Sequence, residues 1–266
     1  MHPIERLRSV ARAEGVSPSA LVREAAGALA GFGHDPVGLV TACRRLVDRH
    51  PAVGPVWWLA ARVLTAGETA EAWRAVEDVA ADETSVRLGA NLPQDGRLVV
   101  LGWPEQVVEA VRRRGDLEVL VVDCGGEASG VAHLLRGVGV DAVDVPDTGL
   151  GAAVASADLV ALEAWALGPG GVVAVSGSRA AAAVAHHAGI PVWAVAGVGR
   201  ALPAPLWDAM AARLHRSAEG TWDRLEEVVP AGLLEEVAGP AGCQPAAEAV
   251  RRADCPVAPE LLKVVA

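Results

Sequence analysis

Apolar residues in the first third of the chain recur three and four positions apart, as at Leu39, Cys43 and Leu46. This spacing gathers them on one face of an α-helix, and proline-containing start signals precede three such segments. In a further helix of this region, we expect Trp73 to face the core. The pattern therefore predicts a helical N-terminal subdomain over residues 1–85.

From residue 96 onward, the pattern changes to short, continuous apolar runs separated by helix-sized segments. Runs of this kind span residues 97–103, 117–126 and 140–147. Continuous rather than alternating apolar strands indicate a sheet that is covered on both faces, as in parallel, doubly wound folds. The sequence predicts an α/β fold, in which the helical N-terminal subdomain is followed by a Rossmann-like, doubly wound and mostly parallel sheet over residues 86–216.

Residues 158–200 hold the most regular part of this pattern. An apolar run, a Gly-Pro-Gly-Gly turn and a second apolar run are followed by Ser-Gly-Ser, an alanine-rich helix, Gly-Ile-Pro and another strand. Ligands of doubly wound sheets bind beyond the carboxyl ends of the strands. The loops that this rule nominates are residues 102–104, 123–126, 147–148, 168–171, 176–178 and 197–200.

The C-terminal segment, residues 217–266, has weak periodicity and many Pro and Gly residues. Its last residues include Leu261, Leu262, Val264 and Val265, which are apolar enough to need cover. A segment that packs back on the body of the protein is one interpretation, and a disordered tail is the other.

Charge and composition narrow the classes of partner. The 266 residues contain 23 Lys and Arg against 33 Asp and Glu, for a net charge of −10, and only 3% aromatic residues. A nucleic-acid-binding surface needs clustered basic residues and, for single strands, aromatic side chains that stack on bases. We therefore expect no nucleic-acid partner. The length fits one large domain or two.

The four cysteines are spread along the chain at positions 43, 124, 243 and 255, without a CxxC pair. This spacing is typical of reduced thiols rather than of a disulfide framework or a metal site. The first ten residues lack the apolar core of a signal peptide, and charged residues interrupt every long apolar tract. We expect a cytoplasmic protein with no membrane segment, no metal and no cofactor.

Ser176, Gly177 and Ser178 lead into the alanine-rich helix and are candidates for phosphate binding. Backbone N–H groups at a helix N-terminus favour anions, and a glycine allows close approach. Arg179 and Arg200 could supply charged contacts to the same group. The alternative is an ordinary serine cap with two solvated arginines.

Other candidates carry similar alternatives. Asp123 and Cys124 end a strand and face the crevice, where Cys124 is read as a small buried side chain rather than a nucleophile. Asp147 is expected to cap the following helix and could also contact a ligand hydroxyl. Glu163 lies between apolar neighbours, where an unpaired carboxylate is costly, and this favours a site role. The Gly170 and Gly171 turn could hold a ligand or simply form a hairpin.

Five motifs in one order resemble a known superfamily. It groups the regulatory alpha, beta and delta subunits of eukaryotic translation initiation factor 2B with the methylthioribose-1-phosphate and ribose-1,5-bisphosphate isomerases. The residues that carry the resemblance are Pro146-Asp147-Thr148, Asp158-Leu159-Val160, Gly170-Gly171-Val172-Val173, Gly177-Ser178 and Gly189-Ile190-Pro191, within residues 97–200. The helical N-terminus and residues 254–262 are also similar to that superfamily. The resemblance implies a divergent, bacterial-type member that forms a homodimer through its Rossmann-like domain.

The chain departs from the isomerases at their catalytic positions. Gly102 or Trp103 stands where those enzymes have a catalytic Cys, and residues 123–126 lack the Arg of their phosphate-gripping turn. Glu163 falls near their catalytic Asp, and Arg200 is the one basic contact that is kept. The resemblance therefore implies a protein without catalysis.

Three hypotheses follow. The first is a non-catalytic protein that binds a phosphorylated sugar or nucleotide in a regulatory or assembly role. The second is a sugar-phosphate isomerase with a rearranged site that uses Glu163 and Asp123. The third is a structural homo-oligomer with an emptied pocket. The second requires that the two carboxylates approach a common atom.

Overall fold

The structure is a computed structural model that describes residues 18–216 and 222–263. The first 17 residues of the predicted helical subdomain, residues 217–221, and the final residues of the C-terminal segment lie outside the described residues. Among the residues that are described, none of the helices is long and apolar enough to cross a bilayer.

The N-terminal part is helical, as the apolar spacing predicts. Its helices are α1 (Pro18–Leu29), α2 (Pro36–Arg49), α3 (Gly54–Ala66), α4 (Glu71–Ala80) and α5 (Thr84–Asn91). Asp35 caps α2, because its Oδ1 accepts a hydrogen bond from Gly38 N at 2.8 Å. Trp73 was placed in the core by the sequence pattern, but its side chain is 45% exposed. Two alanines form the buried face of α4 instead.

Short strands alternate with helices in the remainder of the chain. The strands are β1 (Arg97–Leu101), β2 (Glu118–Val122), β3 (Asp141–Val145), β4 (Leu159–Glu163), β5 (Ala166–Gly168), β6 (Gly171–Val175), β7 (Val192–Val195), β8 (Glu226–Pro230), β9 (Glu236–Gly239) and β10 (Gly242–Pro245). The helices are α6 (Glu105–Val111), α7 (Ala128–Gly137), α8 (Leu150–Ala155), α9 (Ser178–Ala188), α10 (Ala204–Arg216), α11 (Ala246–Ala249) and α12 (Pro259–Leu262). Three single-turn 3₁₀ helices cover residues 30–32, 147–149 and 231–233.

Seven strands form the main sheet in the order β10-β9-β7-β4-β1-β2-β3. All neighbours are parallel except β9 and β10. The inner strands β1, β2 and β4 are apolar except for one charged residue at an end, and separate apolar clusters cover the two faces of the sheet. The predicted fold class, an α/β protein with a mostly parallel sheet after a helical N-terminal part, is confirmed.

The Gly-Pro-Gly-Gly turn belongs to a second, antiparallel sheet in the order β5-β6-β8. Trp207 of α10 packs directly against this turn, since a Cβ on Gly168 or Gly170 would lie 2.4 or 2.7 Å from the indole. Gly171 has a φ of +129°, and a Cβ there would lie 2.0 Å from the carbonyl oxygen of Val229. These contacts leave no room for a side chain, so the glycines are explained by the packing of a hairpin turn.

The C-terminal residues that the structure describes are integrated into the fold. β9 and β10 extend the main sheet, and residues 254–263 contact the N-terminal helices. Arg44 Nε donates to Glu260 O at 2.7 Å, and Trp58 Nε1 donates to Asp254 O at 2.9 Å. Contacts thus run between all three predicted regions, and the domain boundaries near residues 85 and 216 stay a prediction.

Candidate functional site

The chain reverses direction across the main sheet between β4 and β1, where doubly wound folds form their ligand crevice. Glu163, the last residue of β4, fills this position. Its Oε2 accepts hydrogen bonds from Gln106 N at 2.8 Å and Val107 N at 3.4 Å, both in the first turn of α6. A carboxylate of the chain itself therefore occupies the helix N-terminus where a ligand anion would bind.

Arg200 holds the other side of this carboxylate. Its Nη2 donates to Glu163 Oε1 at 2.8 Å and its Nη1 donates to Ala164 O, and the side chains of Arg200 and Glu163 are 5% and 9% exposed. Burial raises the pKa of Glu163, while the charge and hydrogen bond of Arg200 and the two α6 amides act in the opposite direction. Because the guanidinium is buried and binds Glu163, Arg200 is not positioned as a surface phosphate contact.

A polar network that the sequence did not reveal extends from this pair. Gln106 Nε2 donates to Asp82 Oδ2 at 2.7 Å, and Gln106 Oε1 accepts from Gly197 N at 3.1 Å. Asp82 Oδ2 also accepts from Val198 N at 2.9 Å, and its Oδ1 accepts from Thr84 Oγ1 at 2.6 Å. Asp82 lies between α4 and α5, so this network ties the N-terminal helices to the loop after β7.

An open cleft of about 390 Å³ lies further along the same edge of the sheet. Its lining residues are Asp123, Cys124, Gly125, Asp147, Leu150, Ser176 and Gly177. Four predicted site residues are therefore brought together here, two of them carboxylates. The other predicted site residues are not part of its lining; these are Glu163, Gly170, Gly171, Ser178, Arg179 and Arg200.

The two carboxylates of the cleft are already hydrogen-bonded to backbone amides. Asp123 Oδ1 accepts from Gly126 N at 2.7 Å and from Glu127 N at 3.1 Å, just before α7 begins. Asp147 Oδ1 accepts from Thr148 N at 2.7 Å at the start of the 3₁₀ helix. Both side chains thus have local hydrogen-bond partners. The cap expected for Asp147 is not formed, because Asp147 is the first residue of the 3₁₀ helix and binds only the amide of the next residue, and Gly149 precedes α8 without a side-chain cap.

The start of α9 is the predicted phosphate end. Ser176 Oγ donates to Arg224 O at 2.7 Å, and Glu227 Oε1 accepts from Arg179 N at 2.9 Å. Ser178 is 1% exposed, and its Oγ has no hydrogen-bond partner among the described residues. The sequence did not identify Glu227, because it lies on β8, 48 residues after Arg179. It comes close to the start of α9 only through the β6–β8 pairing.

Three of the helices that begin at this edge of the sheet have a carboxylate of the chain on their first amides or on those just before them. Glu163 binds α6, Asp123 binds the turn that opens α7, and Glu227 binds α9. Helix N-termini attract anions because their N–H groups are unpaired and the helix dipole is positive there. Carboxylates of the protein already bind these N–H groups, and this reduces the binding free energy that a ligand phosphate could gain from them.

Cys124 is the thiol in the cleft. Burial raises its pKa to about 11, with further contributions from the charges of Asp123, Asp147 and Glu227. The thiol is therefore protonated at neutral pH, and the nucleophilic species is the thiolate. Among the residues with described positions, no group of three His, Cys, Asp or Glu side chains is arranged to hold a metal ion.

Taken together, the elements define an α/β protein with a helical N-terminal part, a mostly parallel seven-stranded sheet and an edge cleft. This fold is shared with subunits of translation initiation factor eIF2B, which confirms the predicted resemblance at the level of the fold. No protein-family model matches the sequence, and no curated protein matches it.

Three solved structures illustrate the likeness. The translation initiation factor eIF-2B of Pyrococcus horikoshii OT3 superposes with a TM-score of 0.74 at 15% identity, covering 91% of this chain and 96% of that one. A chain of the tetrameric eIF2B-beta2-delta2 complex of C. thermophilum gives 0.73 at 18% identity, covering 94% and 92%. The eIF2B beta structure from Chaetomium thermophilum gives 0.67 at 18% identity, covering 92% and 86%.

Proposed function

We propose that this chain is a non-catalytic, eIF2B-like protein that acts in the cytoplasm by assembling into homodimers or larger oligomers. The observation that carries the proposal is that both candidate catalytic carboxylates are already hydrogen-bonded within the protein. An aldose–ketose isomerisation needs an acid and a base that reach a common substrate atom. Glu163 is buried against Arg200 and α6, and Asp123 binds the amides that open α7.

Assembly is supported by the shared fold with a chain of the tetrameric eIF2B-beta2-delta2 complex. We expect the purified protein to form a homodimer or a larger oligomer. Light scattering coupled to size-exclusion chromatography should give a mass of at least two chains over a range of protein concentrations. A single-chain mass at every concentration would contradict the assembly role.

A second candidate function is regulation by a phosphorylated sugar or nucleotide bound in the cleft. It is favoured by the unpartnered, buried Ser178 Oγ next to a cleft that Ser176 and Gly177 line. Arg179 is exposed beside this position and could contact a phosphate, whereas Glu227 occupies the same helix start.

A thermal-shift screen against sugar phosphates and nucleotides tests this second candidate. A ligand that binds only the folded state adds about 2.7 kcal/mol at a hundredfold its dissociation constant. We expect any such shift to grow in Glu227→Gln, to disappear in Arg179→Ala, and to persist in Arg112→Ala, an exposed arginine at the end of α6. The absence of any shift in both the native protein and Glu227→Gln would leave assembly as the function.

A further inference from the structure

The rim of the cleft combines exposed apolar side chains with carboxylates. We call this surface the acidic-apolar face. It consists of Trp103, Asp123, Glu127, Asp147, Leu225 and Glu227. Trp103 is 47% exposed and Leu225 is 70% exposed, and Trp222, three residues before Leu225, is also exposed. Large apolar side chains that stay exposed next to a concave site are typical of interaction surfaces.

Contacts near the end of β6 link residues on the two sides of this face. Leu225 O accepts a hydrogen bond from the backbone N–H of Ser176, which lines the cleft. On the other side, a Cβ on Gly102 would lie 3.5 Å from the side chain of Val175 and 3.6 Å from Glu127 Oε2. Trp103 follows Gly102 directly. Gly102 and Leu225 therefore lie at the Val175 and Ser176 end of β6, and the Trp103 indole lies against α7, where a Cβ on Gly130 would be 3.3 Å from it.

The charge of this face is negative. Its four carboxylates adjoin two arginines, Arg179 and Arg224, and three of them act together on the cleft thiol of Cys124. The whole chain has a net charge of −10. A second copy of the chain would bring like charge to this face, whereas a basic partner would be attracted to it.

We propose that the acidic-apolar face docks a basic, apolar segment of a partner polypeptide. Arginine or lysine side chains of that segment enter the cleft between Asp123 and Asp147, and its apolar side chains cover Trp103 and Leu225. The cleft carboxylates suit a guanidinium, which binds carboxylates through a fork of N–H donors. A polypeptide fits better than a small cation, because the exposed apolar side chains lie outside the cleft lining.

The test uses a fluorescein-labelled peptide of alternating Arg and Leu, with a Glu and Leu peptide of equal length as its counterpart. Fluorescence anisotropy should show that the purified protein binds the Arg peptide, that added salt weakens binding, and that the Glu peptide does not bind. Trp103→Ala and Asp147→Asn should each weaken binding about tenfold. Their matched controls are Trp73→Ala, which removes a similarly exposed indole, and Asp141→Asn, at the opposite end of β3. Both controls should bind as the native protein does.

Several outcomes would overturn the proposal. They are the absence of binding to the Arg peptide, equal binding of the Glu peptide, and equal weakening in the test and control variants. Light scattering on the same variants tests whether the face instead contacts a second copy of the chain. If Trp103→Ala changes the oligomer mass without changing peptide affinity, the face contacts a second copy. Circular dichroism of each variant verifies that it is folded.

Discussion

Replacement of Arg200 by alanine should lower the free energy of unfolding by about 3–5 kcal/mol, because it leaves the buried Glu163 carboxylate without its cation. Urea unfolding at neutral pH measures this loss. The matched control is Arg112→Ala, whose exposed ion pair with Glu109 should contribute no more than about 1 kcal/mol. A double variant, Arg200→Met with Glu163→Gln, should recover much of the stability, because it removes both buried charges together.

The stability that Arg200→Ala loses relative to the native protein should increase as the pH rises. Burial raises the pKa of Glu163 in the folded state, and Arg200 opposes that shift. Without Arg200 the folded-state pKa rises further, so the folded protein holds a proton that the unfolded chain releases. The stability deficit of Arg200→Ala should be small near pH 5 and should grow towards pH 8. A deficit that is constant over this range would show that Glu163 is not its source.

Replacement of Trp57 by alanine should lower the free energy of unfolding by about 3–5 kcal/mol, since it opens a cavity in the N-terminal core. Trp57 is fully buried, and its Nε1 donates to Pro51 O at 3.1 Å. The guanidinium of Arg213 lies 4.8 Å from the ring centroid, and its Nη2 donates to Leu261 O at 3.1 Å. The substitution should therefore also loosen the C-terminal segment.

Chemical denaturation measures the overall loss, and amide hydrogen exchange at residues 258–262 measures the local one. Trp73→Ala is the matched control, because the Trp73 indole is 45% exposed and Arg213 stacks on Trp57 instead. Equal effects of the two substitutions would contradict the packing role of Trp57.

The helices and inner strands could be predicted from local pattern. Apolar residues at helical spacing give α2, and continuous apolar runs give β1 and β2. The predicted strands ran too long at their carboxyl ends. β1 stops at Leu101 because Gly102 turns with a φ of +62°, and β2 stops before Asp123, which caps the next turn. β9 and β10 were missed, because four-residue strands at a sheet edge depend on their neighbours rather than on their own pattern.

The cleft was predictable because the carboxyl ends of parallel strands meet at one edge of a sheet. That rule alone brings together Asp123 and Asp147, which follow β2 and β3. Ser176 follows β6 of the second, antiparallel sheet, so its place in the cleft depends on how the two sheets pack. The orientation of Arg200 and the position of Glu227 could not be predicted, since both depend on contacts between distant parts of the chain. The sequence identified a basic residue in the loop after β7 but not that it points into the protein interior.

Turnover is the most direct test of the central claim that the candidate carboxylates serve structure rather than catalysis. The protein is incubated at equimolar concentration with ribose 1,5-bisphosphate and, separately, with methylthioribose 1-phosphate, and the products are followed by ³¹P nuclear magnetic resonance. We expect no conversion beyond that of a Glu163→Gln preparation purified in the same way. Conversion by the native protein that is lost in Glu163→Gln would show that Glu163 is catalytic and would contradict the account.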